Sequence, residues 1–387
     1  MRLSYCTNVH PAEDLDGIIA QLHEHAGPAR RAAGLDRLGV GLWLPVDAAA
    51  LLARDATARE RLAEALEQEG LELFTVNAFP YRGFHEEVVK LGVYSPDWST
   101  PERLAFTEDC ATALAHLLPE GSAGSISTLP LGWRADWTRA RDSAAAAHLA
   151  ALRDHLAQLE RETGRVVRLA VEPEPGCILD DVADVVRWLA AHPDLIADGR
   201  IGVCLDTCHL AVSYADPAEA VRAIDEAGVR IVKVQASAAL EVPEPAHARS
   251  ALADFAEARY LHQVRTRPSG GEPLRADDLA GVLADPAWPT DRPWRVHVHI
   301  PLHMTPREPL ASTQRVLLEA VDAVLETAHG REAHLDIETY TWNVLPAEMQ
   351  PTTLAEGIAE ELRWAERELA AAIDPSHART TQPEVAR

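Results

Sequence analysis

The feature that most constrains this chain is an alternation. Short apolar runs lie at 3–9, 39–44, 71–79, 125–131, 166–171, 201–205, 230–234, 294–300 and 334–339. Between them lie Ala-, Leu- and Glu-rich stretches with helical spacing, at 14–26, 48–69, 101–118, 139–162, 181–191, 217–227, 312–328 and 353–372. Strands separated by helices signal βαβ units and a parallel sheet. The runs are continuous rather than alternating with polar residues, as expected of parallel strands covered on both faces. The expected fold is an α/β protein, a single (β/α)₈ TIM barrel over residues 1–372, with a disordered polar tail at 373–387.

Nine runs compete for eight barrel places. The run 294–300 is expected outside the barrel, because it follows the least regular stretch, 239–292. That stretch is rich in Pro and Gly and reads as a long loop excursion with one or two short helices, inserted before the last strand. No linker divides the chain and no repeat of fixed period is present.

Composition narrows the function classes. The chain carries 36 basic and 60 acidic residues, a formal charge of −24. This opposes broad binding to a phosphate backbone, so no nucleic-acid partner is expected. No apolar run reaches the ~18 residues of a spanning helix, and the start lacks the basic-then-apolar pattern of a signal peptide. The five cysteines form no CxxC pair, which suits reduced thiols in a cytoplasm. No GxGxxG, GxxxxGK[ST] or GxSxG motif appears, which weakens nucleotide-binding and serine-hydrolase readings.

In a parallel barrel, chemistry collects at the C-terminal ends of the strands. Ligand-type residues follow the apolar runs at that end. LAVEPEPG places Glu172 and Glu174 after the fifth run, CLDTCHL places Asp206 and His209 after the sixth, VKVQAS places Gln235 after the seventh, and LDIETYTW places Glu338 in the last. Asp206 and His209 reach one point only if the chain bends at Thr207–Cys208, since i and i+3 on a strand face opposite sides. Carboxylates with an imidazole and an amide oxygen suit a divalent ion such as Mn²⁺, Mg²⁺, Co²⁺ or Zn²⁺. Each residue taken singly also reads as a loop side chain satisfied by backbone or solvent. Pro173 and Pro175 flank Glu174, so Glu172 is expected on the metal and Glu174 at the mouth, facing substrate or a structural Arg. Gly176 then permits the sharp turn away.

The segment IGVCLDTCHLAVSY resembles the sixth strand of the xylose-isomerase-like TIM barrels, a superfamily of sugar isomerases, epimerases and AP endonucleases. The resemblance implies metal ligands at Glu172, Asp206, His209 and Glu338. Gln235 departs from it, because the superfamily usually has His there. It also implies a ligand in the region of His262, where the endonuclease branch has metal-binding Asp and His. In the epimerase branch the two strand-end glutamates also move the proton, a role that would fall on Glu172 and Glu338. A narrower set of motifs, YCTNVHP, VNAFPYRGFHEEVVKLGVYSPDW, VEPEPGC, VCLDTCHLAV, YLHQV, HVHIPLH and ETYTWNVLP, resembles the EboE family of metabolite-traffic proteins of the Ebo operon. That resemblance implies secondary-metabolite handling.

Other candidates line the expected mouth. His297 and His299 alternate on one strand and point the same way, as metal ligands, proton donors or substrate contacts, or as hydrogen-bonded core. Asn77, Tyr81, Arg82, His85 and Lys90 follow the third run and read as a binder of an anionic sugar or a ring, or as a folded lid. Trp342 follows the last run, where an aromatic face stacks on a sugar or packs in the core. The leading expectation is a metal-dependent isomerase or epimerase acting on a sugar, a cyclitol or a phosphate of either. A metal-dependent phosphodiesterase like the AP endonucleases, or a non-catalytic metabolite-binding protein, are the alternatives. The expected partner is a small polyhydroxylated substrate; a homo-oligomer is compatible with such a scaffold.

Overall fold

The computed structural model describes residues 1–267, 269–271 and 273–373. Eight parallel strands close into a barrel: β1 (Arg2–Cys6), β2 (Leu38–Trp43), β3 (Leu71–Asn77), β4 (Ala123–Thr128), β5 (Val166–Val171), β6 (Ile201–Asp206), β7 (Ile231–Ala236) and the last strand, His334–Ile337, which pairs with both β7 and β1. Among the described residues no helix is long and apolar enough to cross a membrane. The expected tail lies outside the described residues, apart from the buried Ile373.

The run 294–300 lies outside the barrel, as expected. The stretch before it is not a loop. It holds β8 (Ala239–Val242), β9 (Val264–Thr266) and β10 (Arg275–Ala276), which join β11 (Trp294–His299) and β12 (Ala311–Ser312) in a five-stranded antiparallel sheet of order β10-β9-β11-β8-β12. Two short helices, Pro245–Leu252 and Leu279–Ala284, complete the insertion. Its strands are two to six residues long. Prolines mark their ends: Pro243 and Pro245 follow β8 and Pro293 precedes β11. Numbered in chain order, the last barrel strand is β13 (His334–Ile337).

Side chains two apart on a strand share a face, and the face turned into this barrel is polar. At one level Ser125 Oγ lies 2.8 Å from both Thr75 Oγ1 and His334 Nδ1. One step towards the strand ends, Lys233 pairs with Asp336 at 2.7 Å, Ser4 donates to Asp336 at 2.6 Å, and Lys233 also reaches Ser127 at 3.2 Å. Gly41 makes room for this pair, since a Cβ there would lie 2.4 Å from an Asp336 oxygen. One step further come Asn77, Gln235 and Glu338. Most barrel interiors are filled by branched apolar residues; here a polar column leads up to the strand ends.

Candidate metal centre and active site

The strand ends bring the predicted carboxylates together. One oxygen each of Glu172, Asp206 and Glu338 lies within 4.8 Å of the others, all three side chains buried. Asp206 is the last residue of β6. Its Oδ1 accepts the His209 N–H at 2.9 Å and so caps the short helix Thr207–Val212. This is the expected bend, and it carries His209 back over the barrel mouth. Ser237 also donates to Asp206, at 2.9 Å. Glu338 accepts from three amides: Asn8 at 2.7 Å, Asn77 at 3.1 Å and Gln235 at 2.5 Å. The Gln235 amide nitrogen also lies 2.8 Å from Glu172 Oε1. Gln235 therefore stands at the centre of the carboxylates as a neutral donor. Glu172 Oε2 is buried without a hydrogen-bond partner.

Burial, then the neighbouring charges of Glu338, Asp206 and Glu174, push the Glu172 carboxyl well above its ordinary value. Burial and the Asp206 charge do the same to Glu338. Burial alone would raise Asp206 too, but His209 and His299 with two hydrogen bonds hold it below its ordinary value. A cluster of this kind retains a proton until a cation replaces it.

Three imidazoles overhang the carboxylates. His209 Nδ1 lies 2.8 Å from the Pro173 carbonyl, His297 Nδ1 2.7 Å from Gln263 Oε1, and His299 Nδ1 2.6 Å from the Glu338 carbonyl. Each acceptor fixes the proton on Nδ1 and leaves Nε2 as the ligand nitrogen, a tautomer assigned from these partners. The Nε2 atoms of His209 and His297 stand 3.1 Å apart, and Glu174 Oε2 lies 3.1 Å from His209 Nε2. His299 Nε2 is buried with no hydrogen-bond partner, 4.0 Å from Asp206 Oδ2. Burial lowers His297 well below the ordinary imidazole value and His299 to about 4. Glu174, raised by burial, also accepts from Tyr94 at 2.8 Å, so its partners are His209 and Tyr94 rather than an Arg. Gly176 has φ +96°, as its turn requires.

Three expected residues fall elsewhere. His262 does not join the cluster: its two ring nitrogens are spent on the His297 carbonyl and on Glu257, each at 2.8 Å, so it props β11 from behind. Trp342 is buried and donates to Glu361 at 3.1 Å, a core contact rather than a stacking platform. His85 is held on the Asn8 carbonyl at 2.7 Å, beside the Trp43 and Phe84 rings, and supports the rim. Asn77 is in the cavity wall, but its amide is directed to Glu338. Two near neighbours that sequence reading passed over stand at the cluster or the cavity instead. Gln263 fixes His297, and Tyr340 faces the cavity with its ring 4.7 Å from that of His299. Their only signal was their place inside the motifs YLHQV and ETYTWNVLP.

The cluster floors a cavity of about 530 Å³. The loop after β3 and the segment before β9 roof it, joined where the Val89 and Lys90 N–H groups donate to the Arg259 carbonyl at 2.8 and 2.9 Å.

No curated protein matches the chain. Three solved structures have a similar fold. D-allulose 3-epimerase from Methylomonas sp. aligns with TM-score 0.54 at 10% identity, covering 95% of this chain and 98% of that one. L-ribulose 3-epimerase aligns with TM-score 0.51 at 14% identity, covering 96% and 95%. The IolI protein with a bound zinc atom aligns with TM-score 0.50 at 11% identity, covering 97% and 100%. Residues 30–262 match the model of the xylose isomerase-like TIM barrels. That match spans more than half of the chain, which thus belongs to the xylose isomerase-like TIM-barrel family.

Proposed function

We propose that this protein is a metal-dependent isomerase or epimerase of a small polyhydroxylated molecule, such as a sugar or cyclitol. The observation that carries the proposal is the buried triad Glu172, Asp206 and Glu338 with the orphaned Glu172 Oε2. A buried carboxylate without a partner is costly, and three together fit a divalent cation. Glu172, Asp206 and Glu338 would hold the ion, with the Gln235 carboxamide turned to present its oxygen and with His209 or His299 in reach. The bound ion supplies Lewis-acid polarisation of a substrate carbonyl. Glu172 at the end of β5 and Glu338 at the end of β13, three strands apart around the barrel, would move the proton at the substrate carbon, while Glu174 anchors His209 at the mouth. Asn8 and Asn77 orient Glu338, and the roof excludes water. The domain would be residues 1–372, in a cytoplasmic protein. The resemblance of its motifs to the EboE family would place the reaction in secondary-metabolite handling. Metal analysis of protein purified without chelator, followed by exchange of substrate-carbon hydrogen with deuterated water across a panel of ketoses and inososes, tests the reading. No bound metal at saturating Mn²⁺, Co²⁺ or Zn²⁺ would remove it.

Gln235 favours a second reading. Its amide already bridges Glu172 and Glu338, as in a site that binds a metabolite without turning it over. Metabolite binding with no exchange in the metal-loaded protein would select that reading.

A further inference from the structure

The cavity above the carboxylates has two unlike halves. Its floor presents Glu172, Glu174, Glu338, Asn8 and the three imidazoles. Its roof is made of Phe84, Val89, Val93, Tyr260, Leu261 and Tyr340. Apart from the Tyr340 hydroxyl, these side chains offer faces rather than polar handles. Tyr260 spends its hydroxyl on the Phe84 carbonyl at 3.2 Å, and the Tyr340 ring packs edge to face on Phe84 and on Tyr260, which are tilted against each other, with centroids 4.9–5.5 Å apart.

Positive charge is also missing from the roof. Among the described residues, Lys90 is the one Lys or Arg that lines the cavity. Its ammonium is committed to the Tyr260 carbonyl at 2.6 Å, to Asp278 at 2.7 Å and to the Glu257 carbonyl at 3.4 Å. An ammonium has three protons to donate, and all three are taken. Glu172, Glu174, Asp206 and Glu338 crowd four carboxyl groups at the floor. A phosphate group would meet these carboxyl groups and, among the described residues, no uncommitted Lys or Arg. A hydroxyl-rich tail in the roof would lose its water without gaining partners.

Building on the proposed metal-dependent reading, we infer that the substrate is an uncharged molecule with two faces: a hydroxyketone or vicinal diol end that sits on the carboxylate floor, and an apolar or aromatic arm that fills the roof. Within the polyhydroxylated class this favours molecules that carry an apolar arm over sugar phosphates and over sugars hydroxylated along their whole length.

Calorimetric titration of the Mn²⁺-incubated protein tests this with three probes that share one hydroxyketone end: 2-hydroxyacetophenone, dihydroxyacetone and dihydroxyacetone phosphate. Bound Mn²⁺ is measured in the same samples. The phenyl probe should bind at least about tenfold more tightly than dihydroxyacetone, and the phosphate no more tightly than dihydroxyacetone. Phe84→Ala and Leu261→Ala should each weaken the phenyl probe severalfold and leave dihydroxyacetone within about twofold. Phe84 belongs to a small cluster apart from the main core, and melting curves verify that both variants fold. Mn²⁺ bound with no preference for the phenyl arm, or with the phosphate bound most tightly, overturns this inference and leaves the metal reading standing. A phenyl preference with no Mn²⁺ bound retires the metal reading and keeps the two-faced cavity. Neither preference nor metal overturns both.

Discussion

Glu338→Gln separates the metal ligand from the structural carboxylate. The triad oxygens lie within 4.8 Å of one another. At an effective dielectric constant of ~20, each like-charge pair at that distance costs about 3.5 kcal/mol when fully ionised. Removing one charge relieves two pairs, and the proton already held by the cluster reduces that gain. Against it stand the charge-assisted hydrogen bonds from Asn8, Asn77 and Gln235, each worth about 1.5–3 kcal/mol. The two contributions nearly cancel, so the metal-free variant should melt within a few degrees of wild type. The holo difference is larger. At a metal concentration of ~1,000 Kd, binding stabilises wild type by about 4 kcal/mol. A hundredfold loss of affinity leaves about 1.4 kcal/mol. For 387 residues the unfolding entropy is about 0.8 kcal/mol per kelvin. Metal should therefore raise the Tm of wild type by about 5 °C and that of the variant by about 2 °C. Differential scanning calorimetry with and without Mn²⁺ reads both numbers. An equal metal-induced rise in the two proteins would refute the assignment of Glu338 as a ligand.

Three further outcomes follow from named contacts. Gln235→His should tighten metal binding about tenfold, because an imidazole nitrogen is a better ligand than a carboxamide oxygen; unchanged affinity by competition with a chelating dye would show that the position does not face the ion. Lys233→Met should cost about 3–5 kcal/mol, or roughly 4–6 °C in Tm, by leaving the buried Asp336 unpaired, and adding Asp336→Asn should recover part of it; a single variant as stable as wild type would contradict this. Burial pushes Glu361 up to about 7 from 4.5, so its protonated form is favoured by folding, and its contribution is complete below about pH 4.5 and lost as pH rises through 7. That loss is about 3 kcal/mol, and Glu361→Gln should flatten the fall in Tm between pH 5 and 8; an identical slope in both proteins would rule it out.

The barrel was legible because its strands are covered on both faces and keep their apolar runs. The insertion was not, because β10 and β12 are two residues long and β9 is three, too short to carry a period. The polar barrel interior was visible only in hindsight, as Ser125 and Ser127, Lys233 and Gln235, Asp336 and Glu338, each pair two apart. In the site, the strand-end residues that the barrel rule singled out converge in the structure, and Asp206 approaches His209 through the bend between them. The errors are offsets of one or two positions: His262 for Gln263, Trp342 for Tyr340. Gln263 lies in the turn entering β9 and Tyr340 in the 3₁₀ turn after β13. In such segments the direction of a side chain is set by contacts across the fold. The approach of His297 to His209, 88 residues apart, is one such contact, and neither local pattern contains it.

The division of labour between barrel and insertion follows from charge. The barrel strands contribute Glu172, Asp206, Asp336 and Glu338, with Lys233 as the interior cation paired to Asp336. The insertion contributes His297 and His299, which burial keeps neutral. A neutral imidazole adds a donor atom without adding charge, and Gln263 and the Glu338 carbonyl decide which nitrogen it offers. Nitrogen lone pairs and carboxylate oxygens thus converge from two layers on a space whose one lining Lys or Arg among the described residues, Lys90, is spent on the Tyr260 carbonyl and Asp278. Without a cation that convergence opposes folding; with one, every group in it gains an attractive partner. The insertion therefore does more than cover the mouth. On the metal-dependent reading it would complete a donor set that the barrel, with Gln235 on its seventh strand, leaves short of an imidazole.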